Sequence, residues 1–472
     1  MPAPIRLLHS TPAGGPALVV TGPLPPSPSP RYPGELLALL ARDHLAFFAR
    51  LEACGDVAQL RLGAQRFVLF GHPGDLQRLL VTKPRTFARG RGFERATPLL
   101  GDAGLTADGA RRPLHRRRVR PAIQRDRVAA YAAAMAGHAE RATATWGDDT
   151  TLDVHEAMTR LTRAIIGKIL FDLDVGDDPG GMEETIDLSL RTYRRALLPL
   201  GTLLERVPLP SVRCVQCARR RFARWLTDAI RARRTLGDGR DDLLTTLLRA
   251  RDADGRALSD AELRDEILAL LVAGHETAAV ALTWTWYLLS QYPNVEERLH
   301  AELDAVLGDR LPEARDLPRL TYTRMVIAEA MRLYPPVWIV ERRAVRDVEA
   351  HGYRVPAGSL VYASPYFVHR DPRWYERPDR FDPERWHPDR ADARPRFAYF
   401  PLGGGTRAGI GEQFAWTVQI VVLATIARRW RLRLARNHPV ALEPLATLRP
   451  KNGMRVDVLS RTSGTSSPSD RG

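Results

Sequence analysis

The stretch Val326-Ile327-Ala328-Glu329-Ala330-Met331-Arg332-Leu333 places a carboxylate and a guanidinium one helical turn apart in an apolar run. Residues three positions apart share one face of a helix, so Glu329 and Arg332 can pair. Because apolar side chains surround them, we expect the pair to be buried, and a buried pair needs further partners. Arg385, in the later stretch Pro378–Trp386, is the candidate third member. We therefore predict one buried cluster of these three side chains.

The most apolar part of the chain, Ile267–Leu289, is long enough to cross a membrane. His275 and Glu276 lie near its middle, where ionisable groups are costly in lipid. A helix buried inside a large globular protein fits this pattern better. Ser259, followed three residues later by Glu262, gives the capping-box signature and predicts where this helix begins.

Within that helix, the stretch Ala273-Gly274-His275-Glu276-Thr277 combines a glycine with polar side chains. A glycine in a helix interior costs about 1 kcal/mol relative to alanine, which makes sense if something lies against Gly274. Glu276 and Thr277 then offer a carboxylate and a hydroxyl beside that space. The alternative is a polar kink in a core helix. His275 alone is more typical of a satisfied core residue than of a metal ligand.

A third stretch, Pro401-Leu402-Gly403-Gly404-Gly405-Thr406-Arg407-Ala408-Gly409-Ile410-Gly411-Glu412, lies between an apolar run and a predicted helix. Its glycine spacing imitates a dinucleotide-binding fingerprint. No acidic residue follows the next strand-like run, Leu432–Leu434, to bind a ribose, and too little chain remains for a doubly wound sheet. We therefore reject dinucleotide binding.

Around these stretches the chain is rich in helical patterns and has short strand patterns near both ends. We predict a mainly α protein with small β-sheets, built as a single domain over residues 32–461. Residues 1–31 are an extended lead-in, and residues 462–472 a disordered polar tail. The predicted helices cover 35–51, most of 73–308, about 320–333 and 411 to about 428; the predicted strands are 58–62, 66–70, 337–345, 353–355 and 360–363.

The composition is that of an ordinary globular protein, with 44% hydrophobic and 26% charged residues among 472. The 70 Lys and Arg exceed the 55 Asp and Glu by 15. No nucleic-acid-binding module accompanies this basic excess, so we do not expect nucleic acid as a partner. Cys54, Cys214 and Cys217 form neither a disulfide framework nor a zinc site, which favours a reducing cytoplasm. No signal peptide is visible.

Taken in this order, the three stretches resemble the motifs of the cytochrome P450 family, over about Tyr32–Arg461. The resemblance implies the P450 fold. It also implies that Glu329 and Arg332 are the family's ExxR pair and that Arg385 is the arginine of its meander segment.

The resemblance further assigns residues to haem chemistry. Glu276 and Thr277 match the pair that delivers protons in the oxygen-binding part of the central helix. The remaining assignments are contacts of haem b: Arg116 in a WxxxR motif, Arg342 or Arg343 on the haem side of the sheet, and Arg407 in the haem loop.

The sequence departs from the family pattern at the iron ligand. The family's haem loop reads FxxGxRxCxG, and when it is aligned on Arg407 and Gly411, the cysteine position holds Gly409. The aromatic position of the loop holds Leu402, and the tryptophan position of WxxxR holds Arg112. Because the cysteine thiolate pushes electron density that favours O–O cleavage, ordinary monooxygenation does not follow from the resemblance.

Three interpretations are therefore open. In the first, the chain binds haem without a protein thiolate and performs oxidative chemistry. In the second, the fold works without haem and catalyses a non-redox cyclisation or isomerisation, or only binds its ligand. In the third, Gly409 is a recent or engineered substitution in a conventional monooxygenase.

The resemblance is to bacterial P450s of secondary metabolism, which implies a hydrophobic, terpenoid- or polyketide-like substrate. The region Arg191–Val212, where the family has its lid, is apolar. Six arginines crowd the short segment Arg111–Arg120, on the face where acidic ferredoxins or flavodoxins dock in the family. We expect such a redox partner if electrons are used, and a cytoplasmic protein without a membrane anchor.

Overall fold

The structure is a computed structural model. It describes residues 21–82, 86–92, 94, 101, 119, 125–148, 150–172, 181, 184–185, 188, 210–235, 242–251, 255–391, 394–405 and 411–461.

Helices make up most of the regular structure, as the helical periodicity predicts. The α-helices are α1 Glu35–Arg42, α2 His44–Glu52, α3 Pro73–Gln77, α4 Arg125–Ala130, α5 Ala132–Thr143, α6 Val154–Phe171, α7 Pro210–Thr235, α8 Leu243–Arg249, α9 Asp260–Gln291, α10 Pro293–Val306, α11 Thr321–Leu333, α12 Pro365–Val368, α13 Pro388–Ala391 and α14 Glu412–Ala427. A π-helical segment, Arg78–Thr82, extends α3, and 3₁₀ turns lie at Ala314–Asp316, Pro383–Trp386 and Arg396–Ala398.

The strands form four small sheets. They are β1 Val57–Leu62, β2 Gln65–Phe70, β3 Phe87–Arg89, β4 Thr151–Asp153, β5 Val340–Ala344, β6 Val348–Ala350, β7 Tyr353–Val355, β8 Leu360–Ala363, β9 Trp430–Leu434, β10 Leu442–Pro444, β11 Leu448–Pro450 and β12 Arg455–Ser460. The largest sheet has the order β1-β2-β8-β5-β3, and the others are β4-β12-β9, β6-β7 and β10-β11. Strands β2 and β8 run parallel, whereas the other pairs of these strands are antiparallel.

Helix α9 is the centre of the main core. The predicted capping box is present: the Glu262 amide donates to Ser259 Oγ at 3.2 Å, and the Ser259 amide donates to the Glu262 carboxylate at 2.9 Å. By length and composition α9 could cross a membrane, but 72% of its apolar window is buried inside the protein. It packs against α6, α11, α14 and β9. The prediction of a buried central helix is therefore confirmed, as is the mainly α class with small sheets.

Some predicted element bounds are wrong. The helix predicted over 35–51 is two helices, because Asp43 interrupts it and its carboxylate caps α2 by accepting from the Ala46 amide at 2.9 Å. Strands β3 and β4 lie within the stretch predicted to be mostly helical; each has only three residues, too few for an alternating pattern.

The described part of the N-terminal lead-in, from residue 21 onward, packs on the domain. The Pro23 and Pro26 carbonyls accept hydrogen bonds from backbone amides of the sheets.

Candidate active site

The structure brings Glu329, Arg332 and Arg385 together in one buried cluster. Arg332 donates from Nε to Glu329 Oε2 at 2.8 Å and from Nη2 to Oε1 at 2.9 Å, which is a bidentate pair. Arg385 Nε donates to Glu329 Oε1 at 3.2 Å. Trp386 Nε1 and the Asp382 amide complete the shell at 2.9 and 3.0 Å. Glu329 and Arg332 are both 0% exposed, so their charges are compensated within the protein.

The remaining donors of Arg332 tie this helix to the irregular segment that precedes the glycine-rich loop. They bind the carbonyl oxygens of His369 at 2.8 Å, Pro378 at 2.6 Å and Arg380 at 3.1 Å. His369 is itself buried and accepts from the Phe400 amide at 2.9 Å. The cluster therefore fixes the chain that leads into the loop.

One side of α9 is open in the middle of an otherwise buried helix. Ala273 is exposed and Thr277 half-buried, while Val272 and Ala278 next to them are buried. Thr277 Oγ1 donates to the Ala273 carbonyl at 2.8 Å, so the hydroxyl stays on this open strip. Such a strip in a core helix leaves room for a flat apolar group beside it.

Gly274 packs closely against side chains of two other helices on a neighbouring side of α9. A Cβ atom there would lie 3.2 Å from Ile166 Cδ1 and 3.7 Å from a ring carbon of Phe414. The expectation that something lies against this glycine therefore points to protein side chains from α6 and α14. His275 is buried, and its Nδ1 lies 2.7 Å from the Leu271 carbonyl, as expected for a satisfied core residue.

Glu276 turns away from the open strip, toward the β10–β11 hairpin. Its Oε1 accepts from Thr447 Oγ1 at 2.8 Å and from Arg449 Nε at 2.5 Å, and its Oε2 lies 3.8 Å from His275 Nε2. Burial by itself would raise the pKa of this carboxyl, but Arg449, His275 and the hydrogen bond from Thr447 hold it below its ordinary value. Thr447 and Arg449 escaped the sequence analysis, because no local motif links them to a helix so far away in the chain.

The two candidate arginines of β5 lie in different environments. Burial alternates along this strand, so Arg342, 6% exposed, lies on its buried face, whereas Arg343 points outward and donates to Glu94 at 2.7 Å. Arg89 of β3 is the cross-strand partner of Arg342 and is equally buried. Two guanidinium groups therefore lie side by side on one face of the sheet. No sequence pattern marks Arg89, because its strand has only three residues within a region of helical periodicity.

The glycine-rich loop approaches the π-helical segment very closely. Gly405 has a φ of +77°, and a Cβ atom there would lie 2.1 Å from the Leu80 carbonyl oxygen, so only glycine fits. Leu402 is half-buried and packs against the main core. The other predicted haem contacts, Arg112, Arg116, Arg407 and Gly409, lie outside the described residues.

Comparisons with known proteins agree with this geometry. The family model described as Cytochrome P450 matches residues 24–456. The chain is 40% identical to cyclooctatin synthase of Streptomyces melanosporofaciens, over 84% of this chain and 87% of that protein. It is 34% identical to pentalenene oxygenase of Streptomyces avermitilis, over 90% and 95%. The crystal structure of the cytochrome P450DA heme domain superposes with a TM-score of 0.84 at 27% identity, covering 93% of this chain and 98% of that one.

The chain therefore belongs to the cytochrome P450 family, a family that implies haem. Its described residues fit the porphyrin, because Arg89 and Arg342 suit carboxylate groups and the open strip of α9 suits a flat apolar ring. The predicted ligand position, 409, lies outside them and is glycine in the sequence, so it offers no side chain to the iron. Cys214 and Cys217 are exposed on α7.

Proposed function

We propose that this protein binds haem without a cysteine thiolate and carries out oxidative chemistry on a hydrophobic, terpenoid-like small molecule. The arrangement of Glu276 and Thr277 is the observation that carries this proposal. The acid is held by two partners, and the hydroxyl stays on the open strip beside it. A fixed carboxylate next to such a hydroxyl supports proton transfer, which a protein that only binds its ligand does not need.

The terpenoid part of the proposal is supported by the relatives. The names cyclooctatin synthase and pentalenene oxygenase denote proteins that act in terpenoid chemistry, and each matches this chain over more than four fifths of its length. A third relative from Streptomyces melanosporofaciens, cyclooctat-9-en-7-ol 5-monooxygenase, is 39% identical over 85% of this chain. Cyclic terpene hydrocarbons and alcohols are therefore the first substrates to test.

Haem supplies electron-transfer and oxygen chemistry when it is bound, and its axial ligand tunes that chemistry. Arg342 and Arg89 would hold its carboxylates from one face of the large sheet. Thr277, with its hydroxyl next to the open strip, is placed to pass a proton. Glu276 holds its negative charge in this environment, because Arg449 compensates it.

Position 409, where the family has its iron-ligating cysteine, gives the experiment that tests the proposal. We would measure the haem-to-protein ratio of the purified chain and the spectrum of its reduced, CO-bound form. The parent is expected to contain haem and to lack the long-wavelength band of thiolate ligation, and Gly409→Cys is expected to gain that band. Gly411→Cys is the matched control, because a Cβ atom at Gly411 meets nothing within 4 Å and its thiol lies two positions away from the ligand.

The other outcomes separate the alternatives. A parent without haem, whose Gly409→Cys variant also fails to take up added haem, would overturn the proposal in favour of a non-redox catalyst or a binding protein. A parent that already shows the thiolate band would mean that another cysteine reaches the iron. If the parent contains haem but oxidises a terpenoid only after Gly409→Cys, Gly409 is a lesion in a conventional monooxygenase.

An acidic ferredoxin or flavodoxin is the proposed electron donor, as the arginines of Arg111–Arg120 indicate. These residues lie outside the described ranges, so charge alone supports this step. Opposite charges mainly accelerate association and are screened by salt. Binding of an acidic ferredoxin should therefore weaken steeply between low and moderate ionic strength, and the absence of binding at low salt would contradict this part of the proposal. A cytoplasmic location is proposed because Cys54, Cys214 and Cys217 are free thiols.

A further inference from the structure

A cleft of about 310 Å³ lies between α7 and α9, away from the site just described. Its α9 residues, Arg264 to Leu268, precede Ala273 of the open strip. At 1.5 Å per residue, Asp265 lies about 12 Å along the helix from Ala273. Its lining combines apolar residues with arginines, and each helix supplies both kinds: Phe222, Leu226 and Leu268, and Arg219, Arg220 and Arg264.

The charges around this cleft are unequal. Among its described lining residues, three guanidinium groups accompany one carboxylate, that of Asp265. Arg264 donates to neutral oxygens, the Asp260 carbonyl at 3.3 Å and Thr227 Oγ1 at 3.5 Å. Arg219 is half-buried; burial lowers the pKa of its guanidinium, while Asp265 acts in the opposite direction. The cleft therefore carries a partly desolvated positive charge.

The apolar wall of the cleft is well ordered by its neighbours. Phe222 and Leu226 are almost fully buried. Phe222 stacks on Trp225, with ring centroids 5.8 Å apart and an interplanar angle of 23°, and Trp225 meets the edge of Phe171 at 5.1 Å. Phe222 and Leu226 therefore form a fixed backing, and the half-buried Ala223 and Leu268 provide the accessible apolar surface against which a hydrocarbon can pack.

We propose that this cleft binds an anionic amphiphile, in which a hydrocarbon chain carries a carboxylate or phosphate head. Guanidinium groups bind both kinds of head with charge-assisted hydrogen bonds, often in pairs. The hydrocarbon then covers the apolar wall, which neither a free anion nor a neutral hydrocarbon would match as well. A prenyl diphosphate and an aliphatic or terpenoid acid share this chemistry. The site needs no haem, so it stands or falls independently of the proposed function.

The test measures binding to the full chain by calorimetry. The probes are dodecanoate and farnesyl diphosphate, with dodecanol as the neutral match and inorganic diphosphate as the head alone. At least one amphiphile is expected to bind about tenfold more tightly than its neutral or headless counterpart, because a charge-assisted hydrogen bond contributes more than the 1.4 kcal/mol that corresponds to a tenfold change. Whichever amphiphile binds better identifies the head group.

Variants locate the site. Arg219→Gln and, separately, Arg264→Gln are expected to weaken binding about tenfold. Arg224→Gln and Arg231→Gln are the controls, because both arginines are exposed on α7, the helix of Arg219, and neither lines the cleft. Thermal midpoints equal to that of the parent would show that the variants fold.

Three results would overturn the proposal. The first is equal affinity for dodecanoate and dodecanol together with equal affinity for farnesyl diphosphate and inorganic diphosphate. The second is equal loss in the cleft variants and the controls. The third is a shift of the haem absorption band that saturates with the same dissociation constant, which would place the ligand in the haem pocket.

Discussion

Two carboxylates are buried on neighbouring helices of this protein, and they are held in different ways. Glu329 on α11 is 0% exposed and accepts hydrogen bonds on both oxygens, from two arginines, an indole and a backbone amide. Glu276 on α9 is 3% exposed and accepts both of its described hydrogen bonds on Oε1. The first carboxylate is enclosed completely, whereas the second is held from one side.

The hydrogen-bond partners of the two carboxylates indicate different roles. Every donor to Glu329 comes from its own helix or from the 3₁₀ turn at Pro383–Trp386 and the residue before it, and a charge so fully satisfied contributes to the framework. Glu276 depends on Thr447 and Arg449 of a distant hairpin, and it adjoins Thr277 on the open strip of α9. The Glu276 carboxylate itself is buried and turns away from the strip, so it is the Thr277 hydroxyl beside it that stays at the open space. Substitutions at the two sites should therefore affect different properties of the protein.

The largest effect is expected at Glu329. Glu329→Ala leaves the buried guanidinium of Arg332 without its carboxylate, which costs about 3–5 kcal/mol of unfolding free energy. Urea denaturation followed by circular dichroism would measure the loss. Glu376→Ala is the control, because that side chain is 84% exposed and its neighbour Arg377 lies 3.6 Å away in solvent. A variant of Glu329 that unfolds at the same urea concentration as the control would refute the framework role.

A smaller and pH-dependent effect is expected from Arg449→Gln. In the parent the pKa of Glu276 is lowered below 4.5, so the ionised carboxylate stabilises the fold above pH 4.5, and this contribution disappears as the pH falls through the folded-state pKa. Without Arg449, the effect of burial, which raises the pKa of Glu276, is opposed only by His275 and the hydrogen bond from Thr447. The variant should lose about 1–3 kcal/mol at neutral pH, and the deficit should shrink as the pH falls below 4.5.

Denaturation midpoints at several pH values would test this sign. Arg455→Gln is the control, because that arginine is exposed on β12, the next strand along the chain, and the effect of its loss should be independent of pH. A deficit in Arg449→Gln that is the same at every pH would show that Arg449 contributes packing alone.

The two arginines of β5 allow the haem assignment to be tested within one strand. Arg342→Gln removes a buried guanidinium beside Arg89 and should lower haem affinity about tenfold, the equivalent of 1.4 kcal/mol. Arg343→Gln breaks only an exposed pair with Glu94, which is worth 0–1 kcal/mol to stability at most. Transfer of haem to apomyoglobin, followed by absorbance, would compare them. Equal rates of haem loss would contradict the assignment of Arg342.

How far the sequence predicts the molecule depends on how local each interaction is. The capping box of α9 and the pairing of Glu329 with Arg332 involve residues three positions apart, so periodicity alone predicts them. Arg385 lies much farther along the chain, and it was predicted because a buried pair needs a further partner. The partners of Glu276 come from a hairpin near the other end of the chain, and no periodicity connects them. Arg89 was missed because a three-residue strand gives too little alternation to be recognised.

The smallest effect on stability is expected at Thr277, where function and framework can be separated most sharply. Its hydroxyl donates to the carbonyl four residues earlier, a bond that adds little to a helix, so Thr277→Val should change the free energy of unfolding by less than about 1 kcal/mol. Thr285→Val is the matched control, since Thr285 Oγ1 makes the same kind of bond to Ala281 at 2.7 Å on the same helix but is fully buried. If the open strip is where a proton is passed, turnover of a terpenoid substrate should fall about 10²-fold in Thr277→Val and stay near the parent value in Thr285→Val. Thr277→Ser, which keeps the hydroxyl, should restore most of that turnover. Equal turnover in the two valine variants would remove the hydroxyl from the chemistry and leave Glu276 as one more structural carboxylate, like Glu329.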